Sequence, residues 1–261
     1  MARDRANDLV QQDLPEIVRK IRARTPARLL VGRAGAAYRT GTQMELRDAH
    51  AAARDAVRNE LDLESDFGAA FVKQWGLFVA NTQARTKDEY LLRPDRGRRF
   101  DESSATEIRR RCPAACDLQV AIGDGLSVLA VATQVPPLLP LLIEGARGRG
   151  WNVGQPFAIR HCRVGILNEI GELLRPQVAV LLIGERPGLA TAESLSAYMA
   201  YRPRPLQTDA DRNLISNIHA RGVGPEPAAA RILNLAAKMM QASLSGVQLR
   251  EEFPALNGGN S

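Results

Sequence analysis

Aromatic residues make up only 5% of the 261-residue chain, which also has just three cysteines and three histidines. Each shortage excludes something. Few rings speak against a platform for single-stranded nucleic acid, which stacks bases on exposed aromatics. Cys112, Cys116 and Cys162 are odd in number and share no repeating spacing, so they define no disulfide framework. Cys112-x-x-x-Cys116 is one residue too long for a redox pair, and no second ligand pair completes a zinc site. Buried or incidental thiols in a reducing cytoplasm fit better. His50, His161 and His219 have no metal spacing and no adjacent nucleophile, so neither a catalytic residue nor a metal ligand is assigned. Asp48-Ala-His50-Ala-Ala-Ala53 falls short of the Asp-x-His-x-x-Gly pattern that places histidine on cobalt. It has alanine for the glycine and lies in a helical pattern. Neither Gly-x-Gly-x-x-Gly after a strand nor Gly-x-x-x-x-Gly-Lys-Ser/Thr occurs, which leaves a nicotinamide or P-loop enzyme unsupported. Met1-Ala-Arg-Asp-Arg runs into charges without an apolar core, and no secretory leader is expected. Gly125 to Ile143 lacks charge over roughly a bilayer's span. It also holds Pro136, Pro137 and Pro140, so two buried helical pieces meeting near Pro136 in a soluble protein are expected.

What is present is ordinary for a globular chain: 45% hydrophobic and 25% charged residues, enough for a proper core. The net charge of +6 favours phosphates, acidic surfaces or an acidic partner. Residues 1–27 read as an N-terminal helical segment with apolar Leu14, Ile17, Val18 and Ile21 on one stripe. Residues 28–100 read as a helical or mixed part. Within it lie an apolar run from Arg28 to Gly35, a Thr42-x-x-Glu45 capping box opening a helix to about Leu61, and short strands at Leu77–Ala80 and Tyr90–Leu92. Residues 101–261 read as the main α/β domain. A helix including Ser104–Arg111 precedes buried strands at Leu118–Ile122, Phe157–Arg163 and Gln177–Ile183, with another at Ser196–Tyr201. A last helix runs from Pro227 to about Leu244, with Ala230, Leu233, Ala237 and Met240 inward and Gly246 as its stop. The fold class is α/β: a Rossmann-like, mostly parallel sheet with a helical N-terminal part.

Ligands of such sheets sit at the carboxyl ends of the strands. Three loops qualify: Gly123-Asp-Gly-Leu-Ser127, the stretch ending at Val164, and Gly184-Glu-Arg-Pro-Gly188. In the second, Val164 by itself is simply a strand-end residue. Asp124 reads more readily as an Asx-turn or helix cap than as a ligand contact. From the residues alone, Glu185 reads slightly better as a turn or ion-pair partner of Arg186 than as a ligand acceptor. The arginines at 93, 96, 98 and 99, and at 109–111, read as a solvated face or a contact with an acidic partner.

In order, these segments resemble the ethanolamine ammonia-lyase small (light) subunit family over residues 28–250. The resemblance rests on Val31-Gly-Arg-Ala-Gly35, Leu92-Arg-Pro-Asp-x-Gly-Arg-Arg99, Asp124-Gly-Leu-Ser127, Val153-Gly-x-Pro-Phe157, Arg163-Val164, Glu169-Ile-Gly-Glu172, Leu182-x-Gly-Glu-Arg-Pro-Gly-Leu189, Glu193-Ser-Leu-Ser196, Asp211-Arg212 and Ile215-Ser-Asn-Ile-His219. It implies a subunit that covers adenosylcobalamin at the interface with a large subunit, inactive alone, in six heterodimers. The complex converts ethanolamine to acetaldehyde and ammonia by radical chemistry that the cofactor supplies. It works in the cytoplasm, free or within a bacterial microcompartment, without nucleic acid or membrane. Carried over by motif, the cobalamin contacts fall at Val164, Glu185 and Leu214, and the resemblance thereby reverses the first reading of Glu185. The family pattern has cysteine where this chain has Leu214, so a backbone contact survives there and a sulfur contact does not. The alternatives are a stand-alone Rossmann-like nucleotide-binding enzyme and a basic RNA-binding protein. The first lacks a phosphate loop or dyad, and the second lacks a nucleic-acid motif.

Overall fold

The two most apolar runs, Leu118–Gly123 (β4) and Val178–Gly184 (β6), are buried at every position and lie side by side in parallel. Their side chains alternate between two cores. Leu118, Val120 and Ile122 of β4, with Val178, Val180 and Leu182 of β6, face one core. Ala121, Ala179, Leu181 and Ile183 face the other. A strand covered on both faces is apolar on both, which is why these runs do not alternate; the polar exception in β4, Gln119, is buried with its amide donating to the Gln155 carbonyl at 2.9 Å.

The computed structural model describes residues 15–23, 33–188 and 191–251. Its helices are α1 (Glu16–Ala23), α2 (Thr40–Arg58), α3 (Leu63–Phe67), α4 (Ala69–Trp75), α5 (Lys87–Leu92), α6 (Glu102–Arg111), α7 (Val128–Gly148), α8 (Ile166–Leu174) and α9 (Pro225–Ala242). A two-residue ribbon pairs β1 (Arg33–Ala34) with β2 (Ala37–Tyr38). The main sheet adds β3 (Val79–Asn81), β5 (Phe157–Arg160), β7 (Leu195–Tyr201) and β8 (Asn213–Ile218), in the order β3-β5-β4-β6-β7-β8. The first four of these strands are mutually parallel, and β7 runs antiparallel to β6 and β8. The architecture is therefore mixed α/β, built on a mostly parallel six-stranded sheet. Helices α7 and α9 pack together and against the sheet, while α6 and α8 contact each other and strands β3 and β6 respectively. Leu14, residues 28–32 of the first apolar run and Leu189 lie outside the described residues.

Several expectations change. The uncharged stretch is one helix, α7, with all three prolines inside it. Leu138, Leu139, Leu142 and Ile143 are fully buried on it. Each such side chain contributes about 1.5–3 kcal/mol, which competes with about 3 kcal/mol for an interior proline. Pro137 is exposed and Pro136 and Pro140 are only partly buried, so the prolines sit on the side away from the packed leucines. By length and composition alone α7 would cross a bilayer, yet half of its most apolar window is buried inside this molecule.

Tyr90–Leu92 is helical rather than extended. Thr86 caps α5 by accepting the Glu89 N–H at 3.2 Å, and Glu89 reaches back to the Arg85 N–H at 2.8 Å. Helix α2 starts at Thr40 after Arg39, without a side-chain cap, so Thr42 is a buried first-turn residue and not a cap. Helix α9 begins at Pro225 and stops at Ser243, which takes the left-handed conformation, three residues before Gly246. Its buried face is Ala228, Ala229, Ile232, Leu233, Leu235, Ala236 and Met239. Of the expected stripe only Leu233 is buried; Ala230 is exposed and Ala237 and Met240 are half-buried, because α9 packs on α7 and on the sheet at once and turns a different face inward. Strand β8 was not anticipated: only two of its six residues are buried, so it lacks a continuous apolar run.

Candidate functional site

Strand β5 ends at Arg160, three residues before the sequence suggests, because a carboxylate intercepts its last amides. Asp124, fully buried at the end of β4, accepts the His161 N–H at 2.9 Å and the Cys162 N–H at 2.8 Å. His161 then takes a left-handed φ of 56°, uncommon for a residue with a side chain. Asp124 is therefore a clamp between strand ends and not a helix cap. Ser127 does the capping, its Oγ accepting the Ala130 N–H at 3.2 Å. The counter-charge comes from α5: Lys87 Nζ lies 3.7 Å from Asp124 and donates to the Gly125 carbonyl at 3.2 Å. Gly125 has φ 57°, and a Cβ there would stand 2.2 Å from the Gly184 carbonyl oxygen. Only glycine lets the β4 and β6 loops approach so closely.

Tyr90, also on α5, completes the support. Its hydroxyl donates to the Cys162 carbonyl at 3.0 Å. The Arg163 guanidinium lies 4.1 Å from the ring centroid and donates to the Tyr90 carbonyl at 3.0 Å. Burial, reinforced by the nearby Asp124 charge, pushes the Tyr90 hydroxyl far above the usual phenol range, so it stays a donor. Val164 follows this braced segment and leads into α8.

At the end of β6, Glu185 is held by Ser194 Oγ at 3.0 Å and by Ser196 Oγ. Among the described residues it makes no ion pair with Arg186. The loop ends enclose a cleft of about 370 Å³ whose walls include Tyr90, Leu126, Arg163, Val164, Glu185 and Tyr198. Burial, with Glu185 and Asp209 nearby, raises the Tyr198 hydroxyl above its ordinary value. The structure thus brings Val164 and Glu185 into one cleft. Leu214 does not line it. It stands opposite Tyr198 in the β7–β8 ladder, about half exposed, so the two project from the same face. Lys87, Tyr90 and Tyr198 were not singled out from the sequence. The one available signal was the Thr86-Lys-Asp-Glu89 capping pattern, which would have put Lys87 and Tyr90 on one helix.

The histidines are structural or exposed. His50 is exposed on α2. His161 Nδ1 donates to the Ala84 carbonyl at 2.8 Å, and His219 bridges Asn217 and the Arg221 N–H. No group of His, Cys, Asp and Glu among the described residues is placed to hold a metal. All three cysteines are free and buried. The arginine clusters are largely neutralised within the chain: Arg93 by Asp95, Arg96 by Glu89, Arg99 by Glu172 and Arg110 by Glu107.

A small cleft at the carboxyl edge of a mostly parallel sheet is where α/β proteins place their ligands. The family is shown by comparison. Residues 15–250 match the family model described as ethanolamine ammonia-lyase light chain (EutC), which reaches back past the first sequence motif into α1. The ethanolamine ammonia-lyase small subunit of Fusobacterium nucleatum subsp. nucleatum is 38% identical over 94% of this chain and 84% of its own length. Those of Clostridium perfringens (41%, covering 88% and 76%) and Clostridium acetobutylicum (37%, covering 93% and 96%) are similarly related. This chain belongs to the ethanolamine ammonia-lyase small-subunit family, and so to a lyase complex with a larger partner.

Proposed function

We propose that this chain covers one side of adenosylcobalamin at the interface with a large subunit and is inactive by itself. The supporting observation is the meeting of Val164 and Glu185 in one cleft at the carboxyl edge of the sheet, in a chain of this family. The cleft's chemistry suits a corrinoid. Glu185 offers an acceptor, the wall around Gly125 is backbone, and Leu126, Val164 and Tyr198 are apolar. Its volume of about 370 Å³ lies at the small end for a ligand site. A corrinoid macrocycle exceeds it and must be enclosed by a second chain.

In this reading Glu185, fixed by two serines, accepts an amide N–H of the corrin periphery. Val164 presents backbone and methyl groups, and Leu214 contributes through its backbone beside Tyr198. When bound, the cofactor supplies the radical chemistry that turns ethanolamine into acetaldehyde and ammonia. This chain orients it and keeps water from one face. The sheet is Rossmann-like in the sense that the ligand sits at the carboxyl ends of its parallel strands. The assembly is a soluble cytoplasmic complex of six heterodimers, acting without nucleic acid or membrane.

The test is release of ammonia and acetaldehyde from ethanolamine with adenosylcobalamin, using this chain, a cognate large subunit, and both together. Activity confined to the mixture is expected. Inactivity of an assembled mixture would overturn the reading and return the nucleotide-enzyme and nucleic-acid alternatives.

A further inference from the structure

A second cleft of about 460 Å³ adjoins the first and shares Arg163 and Val164 with it. Arg98 and Arg163 line this second cleft and are built into its wall by reciprocal packing. The Arg163 N–H donates to the Gly97 carbonyl at 2.8 Å. The Arg163 stem passes so close to Gly97 that a Cβ there would stand 2.7 Å from Arg163 Cγ. In the same way the Arg98 stem crosses Gly165, at 2.9 Å from a would-be Cβ. Each arginine thus fills the space left by a glycine on the other's segment, which ties both to one wall.

Neither has a carboxylate within ion-pair distance among the described residues, although Arg93, Arg96, Arg99 and Arg110 around them all do. Arg163 Nε is buried with no hydrogen-bond partner. Arg212, which lines the same cleft, is already paired with Asp209 and bonded to Asn168, so among the described residues Arg98 and Arg163 are the lining arginines without a counter-charge. Arg98 is exposed, but for Arg163 a partly desolvated guanidinium without a counter-charge is costly. Tyr90 offsets this for Arg163 only through its ring and one carbonyl. Asp209 on the same wall serves Arg212; what Arg98 and Arg163 lack is an anion of their own. Arginine meets oxyanions through paired N–H groups.

We infer that Arg98 and Arg163 form an anion subsite that takes the phosphodiester of the corrinoid's nucleotide loop. This rests on the cobalamin reading above. The amide side chains of the macrocycle are neutral, and the phosphodiester is the anionic group of that ligand. The arginine wall therefore distinguishes a complete corrinoid from one without its nucleotide loop.

The test measures equilibrium binding of adenosylcobalamin and adenosylcobinamide, which lacks the loop, to the assembled complex with the large subunit. The variants are Arg163→Met, Arg98→Met and Arg163→Lys, each checked for assembly by gel filtration. Each methionine variant is expected to weaken adenosylcobalamin about tenfold more than adenosylcobinamide, the size of one charged hydrogen bond. Arg163→Lys is expected to keep part of the preference. Equal weakening of both ligands would overturn the proposal, since the arginines would then be serving the fold or the docking of the large subunit. Unchanged binding of both would overturn it as well. If both corrinoids bind the large subunit equally well with and without this chain, the parent reading fails instead, an outcome recognisable before any variant is made.

Discussion

Lys87 and Asp124 give the sharpest prediction about how the cleft is built. Their side chains are 8% and 0% exposed and their charged atoms 3.7 Å apart. At an effective dielectric of about 20 that separation corresponds to about 4–5 kcal/mol. Removing one member of a buried pair commonly costs about 3–5 kcal/mol, because the other is left desolvated and unmatched. Lys87→Met is therefore expected to lower stability by about 3–5 kcal/mol. Asp124→Asn should cost a similar amount. It strands the ammonium and turns one acceptor oxygen into an amide nitrogen facing a backbone N–H of His161 or Cys162. The double variant leaves no unmatched charge, so it should cost less than the sum of the two by about 2 kcal/mol or more. Urea unfolding followed through Trp75 and Trp151 measures the cycle. Hydrogen exchange of the His161 and Cys162 amides should accelerate in both single variants. Additive losses, or single losses below about 1 kcal/mol, would refute the idea that the pair holds the strand end.

Other consequences can be checked separately. Glu185→Ala is expected to weaken cobalamin retention by the assembled complex while leaving circular dichroism unchanged, and unaltered affinity would remove Glu185 from the site. Burial raises the thiols of Cys112 to about 12 and Cys116 to about 11, and that of Cys162 well above the ordinary value. Native protein at pH 8 should therefore resist iodoacetamide that labels all three in urea, as mass spectrometry would show. Because the native state holds these protons longer, stability should fall as pH rises above about 8.5, by up to about 1.4 kcal/mol per pH unit for each thiol. A flat profile to pH 10 would contradict the burial. Pro137→Ala should stabilise the chain by about 1–2 kcal/mol: the restored N–H can bond within α7, partly offset by a looser unfolded state. A thermal shift downward would show that the ring packs usefully.

The central strands were legible because burial on both faces leaves an unmistakable apolar run, as at Val178–Gly184. Strand β8 was not, since four of its six residues are half-buried or exposed and its one sequence motif carried no period. Helix α7 was misjudged at its prolines because their cost is local and visible, whereas the burial that outweighs it comes from β6 and α9, remote in sequence. The loops that carry Val164 and Glu185 were found from their positions after strands. Asp124 was misread because an aspartate between glycines suits a turn equally well, and only the fold puts the amides of residues 161 and 162 against it. Lys87 and Tyr90 lie more than thirty residues from the loop they brace, a distance no local pattern spans.

The segment between β7 and β8 supplies Leu206, Gln207 and Thr208 to the arginine-lined cleft, yet it does not set where β8 lies. That is fixed by the ladder, in which Ala197 pairs with Ile215, Tyr198 with Leu214 and Met199 with Asn213. Changing the length of a flexible connection costs little, about 0.6 kcal/mol per doubling, whereas slipping a strand by one residue reverses every side chain on it. Residues 205 and 206 at the rim can thus be varied while residue 214 stays in place, whereas Gln207, Ala210 and Asp211 are tied to Asn168, Val247 and Ser245. Rim and ladder are separable at that point, so substituting residues 205 and 206 tests the proposed corrinoid site without rebuilding the sheet.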